Sequence, residues 1–222
     1  VMKDSSNIIY RVLFTPSGIA SINSQSSGLP VNSYGNVCVP AFSPDGSKFA
    51  YEGYTYASGY HMNVRLFDFD RCTGDLSNYV YIPTDDSHVG YGLSFSPDSK
   101  YLYYSTTYHI FQMNIDTSDV VASLDTVATY DNFYSPFSPL RTTFYLMYLA
   151  SDGKIYISTG NSTDKIHYIN YPNNDGIACD VQQHGLSIPC YNVGTVPNHP
   201  NYFLGCDTTG GCTCLATTIN EN

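Results

Sequence analysis

The chain has 222 residues and a formal net charge of −10 at pH 7, with only 9 Lys and Arg residues. Binding to nucleic acid or to an anionic membrane surface needs clustered basic side chains, so neither partner is expected, and no membrane insertion is predicted. The 22 Tyr and 11 Phe residues favour an all-β fold, because aromatic side chains suit half-buried pleated sheets.

The predicted elements begin with residues 8–18, an apolar run that ends in Thr-Pro-Ser-Gly. This segment resembles residues 64–74, which also join a strand-like run to a turn ending in Gly. The similarity predicts that residues 8–18 form the third strand of a repeating unit whose first half is not present before them.

A repeated turn follows along the chain. Residues 43–46 read Ser-Pro-Asp-Gly, residues 96–99 read Ser-Pro-Asp-Ser, and residues 150–153 read Ala-Ser-Asp-Gly, with a weaker echo at 198–201. Pro presets φ in such turns and Gly supplies a positive φ, so each turn should join two antiparallel strands. An interval of 53 residues, from position 43 to position 96, is typical of a repeat architecture.

Two further strand-like runs follow each of the first two turns, and one follows the third. Four antiparallel strands in every unit of about 50 residues are typical of a β-propeller blade. The predicted fold is therefore an all-β propeller with three full and two half blades. It is expected to be part of a larger propeller or, alternatively, a closed four-bladed ring. The strand-like runs that follow the three turns are residues 62–70, 75–83, 109–116, 120–130 and 165–172.

Two regions are predicted from this pattern. Residues 1–205 form the propeller, expected to be the C-terminal portion of a larger one, and residues 206–222 form a Cys-rich tail or linker.

Seven cysteines follow no zinc-site spacing, which indicates an oxidising compartment with two or three disulfides. Three of them crowd the tail, where a disulfide knot is preferred over a metal held by three thiolates. The odd count leaves one thiol free or paired outside this chain. The candidate disulfide cysteines are Cys38, Cys72, Cys179, Cys190, Cys206, Cys212 and Cys214.

Several longer segments resemble secreted Bacteroidota proteins with a WD40-like or lactonase-like β-propeller. The segments are residues 31–51 (which include AFSPDGSKFAY), 66–78, 92–106, 149–158 and 177–205. In this group the propeller precedes Ig-like modules, and a gliding-motility-associated domain for type IX secretion often follows. The resemblance implies further blades before this region and export to the cell surface or beyond. It implies no established catalytic activity.

No catalytic or metal-binding constellation is expected. A Gly-x-Ser-x-Gly nucleophile motif is not found in the sequence. Residues 85–88, Asp-Asp-Ser-His, are predicted to be an exposed connection between blades. His61, His109, His167 and His199 lie at predicted strand starts or turns, and none has a Cys or Asp at metal-site spacing.

Two groups of polar and aromatic residues remain as candidates for binding a ligand or partner. Tyrosines in the loops after second strands offer amphipathic contact area at low entropy cost. A polar run at residues 180–185, Asp-Val-Gln-Gln-His-Gly, has no predicted strand role and is expected either to bind a partner or to tie strands together. The candidates are Tyr54, Tyr56, Tyr60, Tyr108, Gln182, Gln183 and His184.

The functional expectation is a non-enzymatic binding or structural module, extracellular or on the outer cell surface. It would need no cofactor and would contact protein or glycan, the missing blades or copies of itself. The alternatives are a propeller hydrolase or lactonase with a site in the central channel, and a subunit of an extracellular filament or secretion complex.

Overall fold

The repeating units fold into separate antiparallel sheets. The computed structural model describes residues 6–30, 40–55, 61–84, 86, 88–136, 139–194 and 204, with the side chains at positions 54, 55 and 61 outside that description. Thus the predicted inner half-blade at residues 195–205 (apart from Leu204) and the tail at 206–222 lie outside the described residues.

Three of the sheets have four strands each, and a two-stranded sheet precedes them. We call the two-stranded sheet the half-blade and the others blades I, II and III. The half-blade comprises β1 (Ile8–Thr15) and β2 (Gly18–Ser26). In chain order, blade I comprises β3 (Pro40–Phe42), β4 (Lys48–Thr55), β5 (His61–Phe69) and β6 (Leu76–Pro83). Blade II comprises β7 (Gly90–Phe95), β8 (Tyr101–Thr106), β9 (His109–Asn114) and β10 (Asp125–Thr129). Blade III comprises β11 (Phe144–Leu149), β12 (Ile155–Thr159), β13 (Thr163–Ile169) and β14 (Val181–Asn192).

The predicted all-β fold of four-stranded antiparallel blades is confirmed, with two differences. The run at residues 120–130 forms a strand only from Asp125, because residues 120–123 make a turn in which the Ser123 hydroxyl donates to the Val120 carbonyl oxygen (2.7 Å). The polar run at residues 180–185 does have a strand role, since β14 begins at Val181.

The core consists of layers between successive blades. Side chains alternate between the two faces of a strand, so blade II buries one face against blade I and the other against blade III. Within β8, Leu102 and Tyr104 pack toward blade I, whereas Tyr101 and Tyr103 pack toward blade III. All four are at most 4% exposed. The alternating tyrosines of β8 therefore serve the packing between blades.

The repeated turn is held in the same way in blades I and II. Ser43 and Ser96 are fully buried. Each hydroxyl accepts a hydrogen bond from the backbone N–H of the first residue of the next strand, which is Lys48 (2.9 Å) or Tyr101 (2.9 Å). Each hydroxyl also lies 2.5 Å from the Asp two residues on. In blade III, Ala150 takes the equivalent position, and its backbone N–H donates to the Lys154 carbonyl oxygen. The serine hydroxyl therefore adds hydrogen bonds to the turns of blades I and II that Ala150 cannot make in blade III.

Replacing this serine should destabilise the fold. In Ser43→Ala, the Lys48 N–H and one Asp45 oxygen lose a buried partner, so we expect the free energy of unfolding to fall by about 1–2 kcal/mol. Urea denaturation measures this change, and Ser151→Ala in the exposed blade III turn is the control, expected within about 0.5 kcal/mol of wild type. Equal stabilities for the two variants would contradict this role of the buried hydroxyl.

Candidate active site

One end of blade II brings together residues that are far apart in the sequence. Because neighbouring strands are antiparallel, the connection from β6 to β7 and the turn from β8 to β9 lie at the same end of the propeller. Asp86 and His88 belong to the first of these loops. Thr106 ends β8, and His109 begins β9.

Asp86 is the centre of this group. Its Oδ2 atom accepts the Thr106 hydroxyl (2.6 Å) and lies 2.7 Å from His109 Nδ1. Its Oδ1 atom accepts the His88 backbone N–H (2.8 Å) and lies 2.6 Å from His88 Nδ1. The Asp86 side chain is only 6% exposed, whereas the imidazoles of His88 and His109 are 46% and 31% exposed. One buried carboxyl therefore orients two imidazoles that reach solvent.

The same contacts keep Asp86 ionised. Burial by itself would raise the pKa of this carboxyl, but hydrogen bonds from Thr106, His109 and His88 together lower the pKa to about 2. At neutral pH, Asp86 is thus a carboxylate and can only accept hydrogen bonds. Each neighbouring imidazole must then donate from Nδ1, which leaves its Nε2 atom with a lone pair when the ring is neutral.

A carboxylate-oriented imidazole can act as a general base. The Asp–His part of hydrolytic triads works in this way: the buried Asp holds the imidazole tautomer and stabilises the imidazolium that forms. Two such imidazoles on one carboxylate give one group to take a proton from water and a second to hand a proton to a leaving oxygen.

These side chains line an open cleft of ≈ 650 Å³. Its floor is the face of blade II that packs toward blade I, where the partly exposed Phe111 ring stacks on the buried Tyr104 ring with centroids 4.7 Å apart. The cleft therefore combines an aromatic surface with hydroxyl and imidazole groups at one end. Its lining residues are Thr84, Asp86, His88, Tyr104, His109, Phe111, Leu124, Thr126 and Thr129.

No sequence pattern predicted this site. Residues 85–88 were expected to be an exposed connection, which is wrong for the buried Asp86 side chain. His109 has no Cys or Asp at metal-site spacing in the sequence, yet it lies against Asp86, 23 positions earlier. The available signal was topological: in a propeller, the loop between blades and the turn between the second and third strands share an end.

Of the predicted tyrosines, Tyr108 lies beside this site. Its half-buried ring meets the His88 ring edge-on at 4.7 Å, and its hydroxyl accepts a hydrogen bond from Arg141 Nη1 (3.2 Å). Tyr56 and Tyr60, and the side chain of Tyr54, lie outside the described residues.

The predicted Gln182–His184 group lies on β14, at the opposite edge of blade III from β11. Gln183 Nε2 donates to the Thr129 carbonyl oxygen (2.8 Å), and Gln183 Oε1 accepts the Asp131 N–H (3.1 Å). Gln182 Nε2 donates to Asp180 Oδ1 (2.6 Å). The Gln183 bonds tie the outer strand of blade III to the end of β10, whereas the Gln182 bond is local. A ligand role for both glutamines stays a prediction.

His184 is also held on both sides. Its Nε2 atom lies 2.8 Å from Asp131 Oδ2, and its ring stacks on Phe133 at 3.9 Å. Its backbone N–H donates to Nδ1 of His167 (2.8 Å). Burial lowers the pKa of His167 to about 4, so this imidazole is neutral at pH 7 and can accept. None of these residues lines the cleft.

The described cysteines correct part of the disulfide prediction. Cys179 and Cys190 carry free thiols, because Cys179 is fully buried after β13, whereas Cys190 is exposed near the end of β14. Burial raises the pKa of the Cys179 thiol to about 11. Cys72 is disulfide-bonded. The other four candidates, Cys38, Cys206, Cys212 and Cys214, lie outside the described residues.

Within the described residues, no group of three or more His, Cys, Asp or Glu side chains is arranged to hold a metal ion. In the same part of the chain, no helix is long and apolar enough to cross a membrane.

Comparison with solved structures supports the fold. No family model and no curated protein matches the chain. The chain is similar to a "putative 6-phosphogluconolactonase" from Bacteroides uniformis, with a TM-score of 0.51, 18% identity, and coverage of 84% of this chain and 50% of that one. A protein from Lactobacillus plantarum gives a TM-score of 0.49, 16% identity, and coverage of 83% and 51%. The chain thus spans about half the length of these structures, and it has a lactonase-like propeller fold.

These findings correct the functional expectation. The prediction of a non-enzymatic binding module was based on the lack of a catalytic constellation, and the Asp86 group removes that basis. The Bacteroides uniformis propeller is described as a "putative 6-phosphogluconolactonase". The prediction is therefore wrong, and the alternative of a propeller hydrolase is favoured. The site lies in a cleft along blade II, not at the innermost strands.

Proposed function

We propose that this chain is part of a propeller hydrolase that opens lactones, with Asp86, His88 and His109 as its catalytic group. The observation that carries the proposal is the buried Asp86 carboxylate bonded to two partly exposed imidazoles at the mouth of a cleft. The similarity of fold to a propeller described as a lactonase adds support.

The proposed reaction needs no group beyond these side chains and water. His109 Nε2 takes a proton from water, and the resulting hydroxide adds to the lactone carbonyl carbon. The tetrahedral intermediate collapses with cleavage of the bond to the ring oxygen. His88, in its protonated form, gives that oxygen a proton, so that lactone and water become a hydroxy acid. Asp86 stabilises the positive charge on either imidazole.

The proposal is tested by hydrolysis of a panel of sugar and aliphatic lactones, followed by acid release at constant pH. Wild type should turn over at least one lactone. His109→Gln should lower kcat/KM by about 10²–10⁴-fold, the range of a lost general base.

The matched control is His184→Gln, which also removes an imidazole bonded to an Asp but lies outside the cleft. It should keep the wild-type rate. Circular dichroism confirms that each variant is folded. A folded wild-type chain that opens no lactone, or a His109→Gln variant with the rate of wild type, would rule the proposal out.

We also propose that the protein acts outside the cell, as the resemblance to secreted Bacteroidota propellers implies. Support comes from the low content of charged residues, 13%, and from the bonded state of Cys72. Lactones derived from extracellular polysaccharides would then be the accessible substrates.

A further inference from the structure

A positive side chain is fixed at the surface next to the cleft. The Arg141 guanidinium donates through Nε to the Tyr134 hydroxyl oxygen (2.9 Å) and through Nη1 to the Tyr108 hydroxyl oxygen (3.2 Å). Its backbone is also held, because Arg141 bridges Tyr134 and its carbonyl oxygen accepts from Asn161 Nδ2 (2.6 Å). An exposed arginine normally samples many rotamers, so this one is unusually well positioned.

The charge of Arg141 is not neutralised by any carboxylate among the described residues. By contrast, Arg11 and Lys48 on the half-blade and blade I pair with Asp75 and Asp68. In a chain with a net charge of −10, a guanidinium that bonds only to neutral phenols is available to a negatively charged ligand.

The two phenols complete a set of donors. Each phenol oxygen already accepts from Arg141, so its own O–H hydrogen points elsewhere and can be donated. The Nη2 atom of Arg141 takes part in neither of the two bonds described above. Hydrogen-bond donors alone, with one positive charge, are the pattern that binds an anion.

The charge balance favours a carboxylate over a phosphate. One guanidinium neutralises the single charge of a carboxylate and matches its two oxygens. A phosphate monoester carries nearly two negative charges at pH 7, and the second would face the net negative field of this chain.

Tyr108 connects this group to the proposed catalytic residues, since its ring contacts the His88 ring edge-on at 4.7 Å. We propose that Tyr108, Tyr134 and Arg141 bind a carboxylate of the substrate, which makes the substrate an acidic sugar lactone, such as that of an aldaric or uronic acid. The substrate class rests on the proposed lactone hydrolysis, whereas the carboxylate site itself does not.

Calorimetric titration of the whole chain with a hexuronate, the neutral hexose and the hexose 6-phosphate tests the site without turnover. We expect the hexuronate to bind at least tenfold more tightly than the other two. Arg141→Gln should weaken hexuronate binding by tenfold or more, the size of a lost charged hydrogen bond. Tyr134→Phe should weaken it less.

The control is Lys154→Gln, which removes another surface cation that lies over a tyrosine ring, here Tyr168 at 4.9 Å. It should bind the hexuronate as wild type does. Tighter binding of the phosphate, or no effect of Arg141→Gln, would overturn the carboxylate site. Hexuronate binding without hydrolysis of any lactone would instead contradict the proposed function alone.

Discussion

Replacing Glu52 with Gln should make the protein more stable at neutral pH. Glu52 lies on β4 opposite Val64 and is fully buried between blades I and II. Neither carboxyl oxygen has a hydrogen-bond partner among the described residues. Burial therefore raises the pKa of Glu52 well above its usual value of 4.5. Folding at pH 7 must either bury a charge or take up a proton, and both cost free energy.

The expected gain for Glu52→Gln at pH 7 is about 3 kcal/mol in the free energy of unfolding. The pH dependence follows from the raised pKa of the folded state. The neutral carboxyl contributes its full share of stability below about pH 4.5, and this share is lost as the pH rises toward the folded-state pKa. The stability advantage of Glu52→Gln over wild type should thus grow between pH 5 and pH 7.

Urea denaturation at several pH values measures both effects. Asp116→Asn is the control, because this acid is exposed and its replacement should change stability by less than about 0.5 kcal/mol. A Glu52→Gln variant that is less stable than wild type at pH 7 would show that the carboxylate has a favourable partner. Tyr91 would then be the neighbour of the Glu52 carboxylate to examine, since burial, Tyr145 and Glu52 all raise the pKa of the Tyr91 phenol.

Glu52 also illustrates what the sequence could and could not predict. The turns at 43–46 and 96–99 are local patterns, and with their 53-residue interval they predicted the blades, because short-range sequence sets the turn type. A buried acid between two blades depends on which faces meet in space. No local pattern around residue 52 distinguishes it from an exposed strand residue.

The candidate site was missed for the same physical reason. Asp86 and His109 are 23 positions apart and meet only because two loops share one end of the blade. The interval of the repeat predicted the blade, and the order of strands within a blade would have placed both loops. The side-chain distances of 2.6 and 2.7 Å required the structure. Arg141 likewise became a candidate only through its contacts with Tyr108 and Tyr134.

Replacing Arg65 should have the opposite effect to replacing Glu52. Arg65 lies on β5 opposite Tyr51 and is 1% exposed. Its guanidinium donates to the carbonyl oxygens of Leu29 (3.0 Å) and Pro30 (3.3 Å), which follow the half-blade, and to Asn63 Oδ1 (3.1 Å). It also lies 5.5 Å from the centre of the Tyr51 ring. Neutral oxygens and an aromatic ring thus replace the water that a guanidinium would otherwise bind.

Glu52 and Arg65 sit on neighbouring strands of one blade but cannot neutralise each other. Glu52 pairs with Val64 and Arg65 with Tyr51, so their side chains point to opposite faces of the sheet. The face toward blade II carries Glu52, which has no hydrogen-bond partner among the described residues, and the face toward the half-blade carries the well-bonded Arg65. Since Arg65 has such partners to lose, its removal should be costly, whereas removal of the Glu52 charge should not.

We expect Arg65→Met to lower the free energy of unfolding by about 3 kcal/mol, because four oxygens, including the Tyr51 hydroxyl (3.3 Å), lose a charged donor. Arg65→Lys should lose about 2 kcal/mol, since an ammonium cannot reach separate oxygens in the planar arrangement of a guanidinium. Arg141→Gln, at the surface, is the matched control, with an expected change below about 0.5 kcal/mol.

Limited proteolysis tests whether Arg65 anchors the half-blade to blade I through the Leu29 and Pro30 carbonyls. If it does, Arg65→Met should be cut near residues 26–30 faster than wild type. A loss below 1 kcal/mol, with unchanged proteolysis, would mean that other donors satisfy the Leu29 and Pro30 carbonyls and that Arg65 does not anchor the half-blade to blade I.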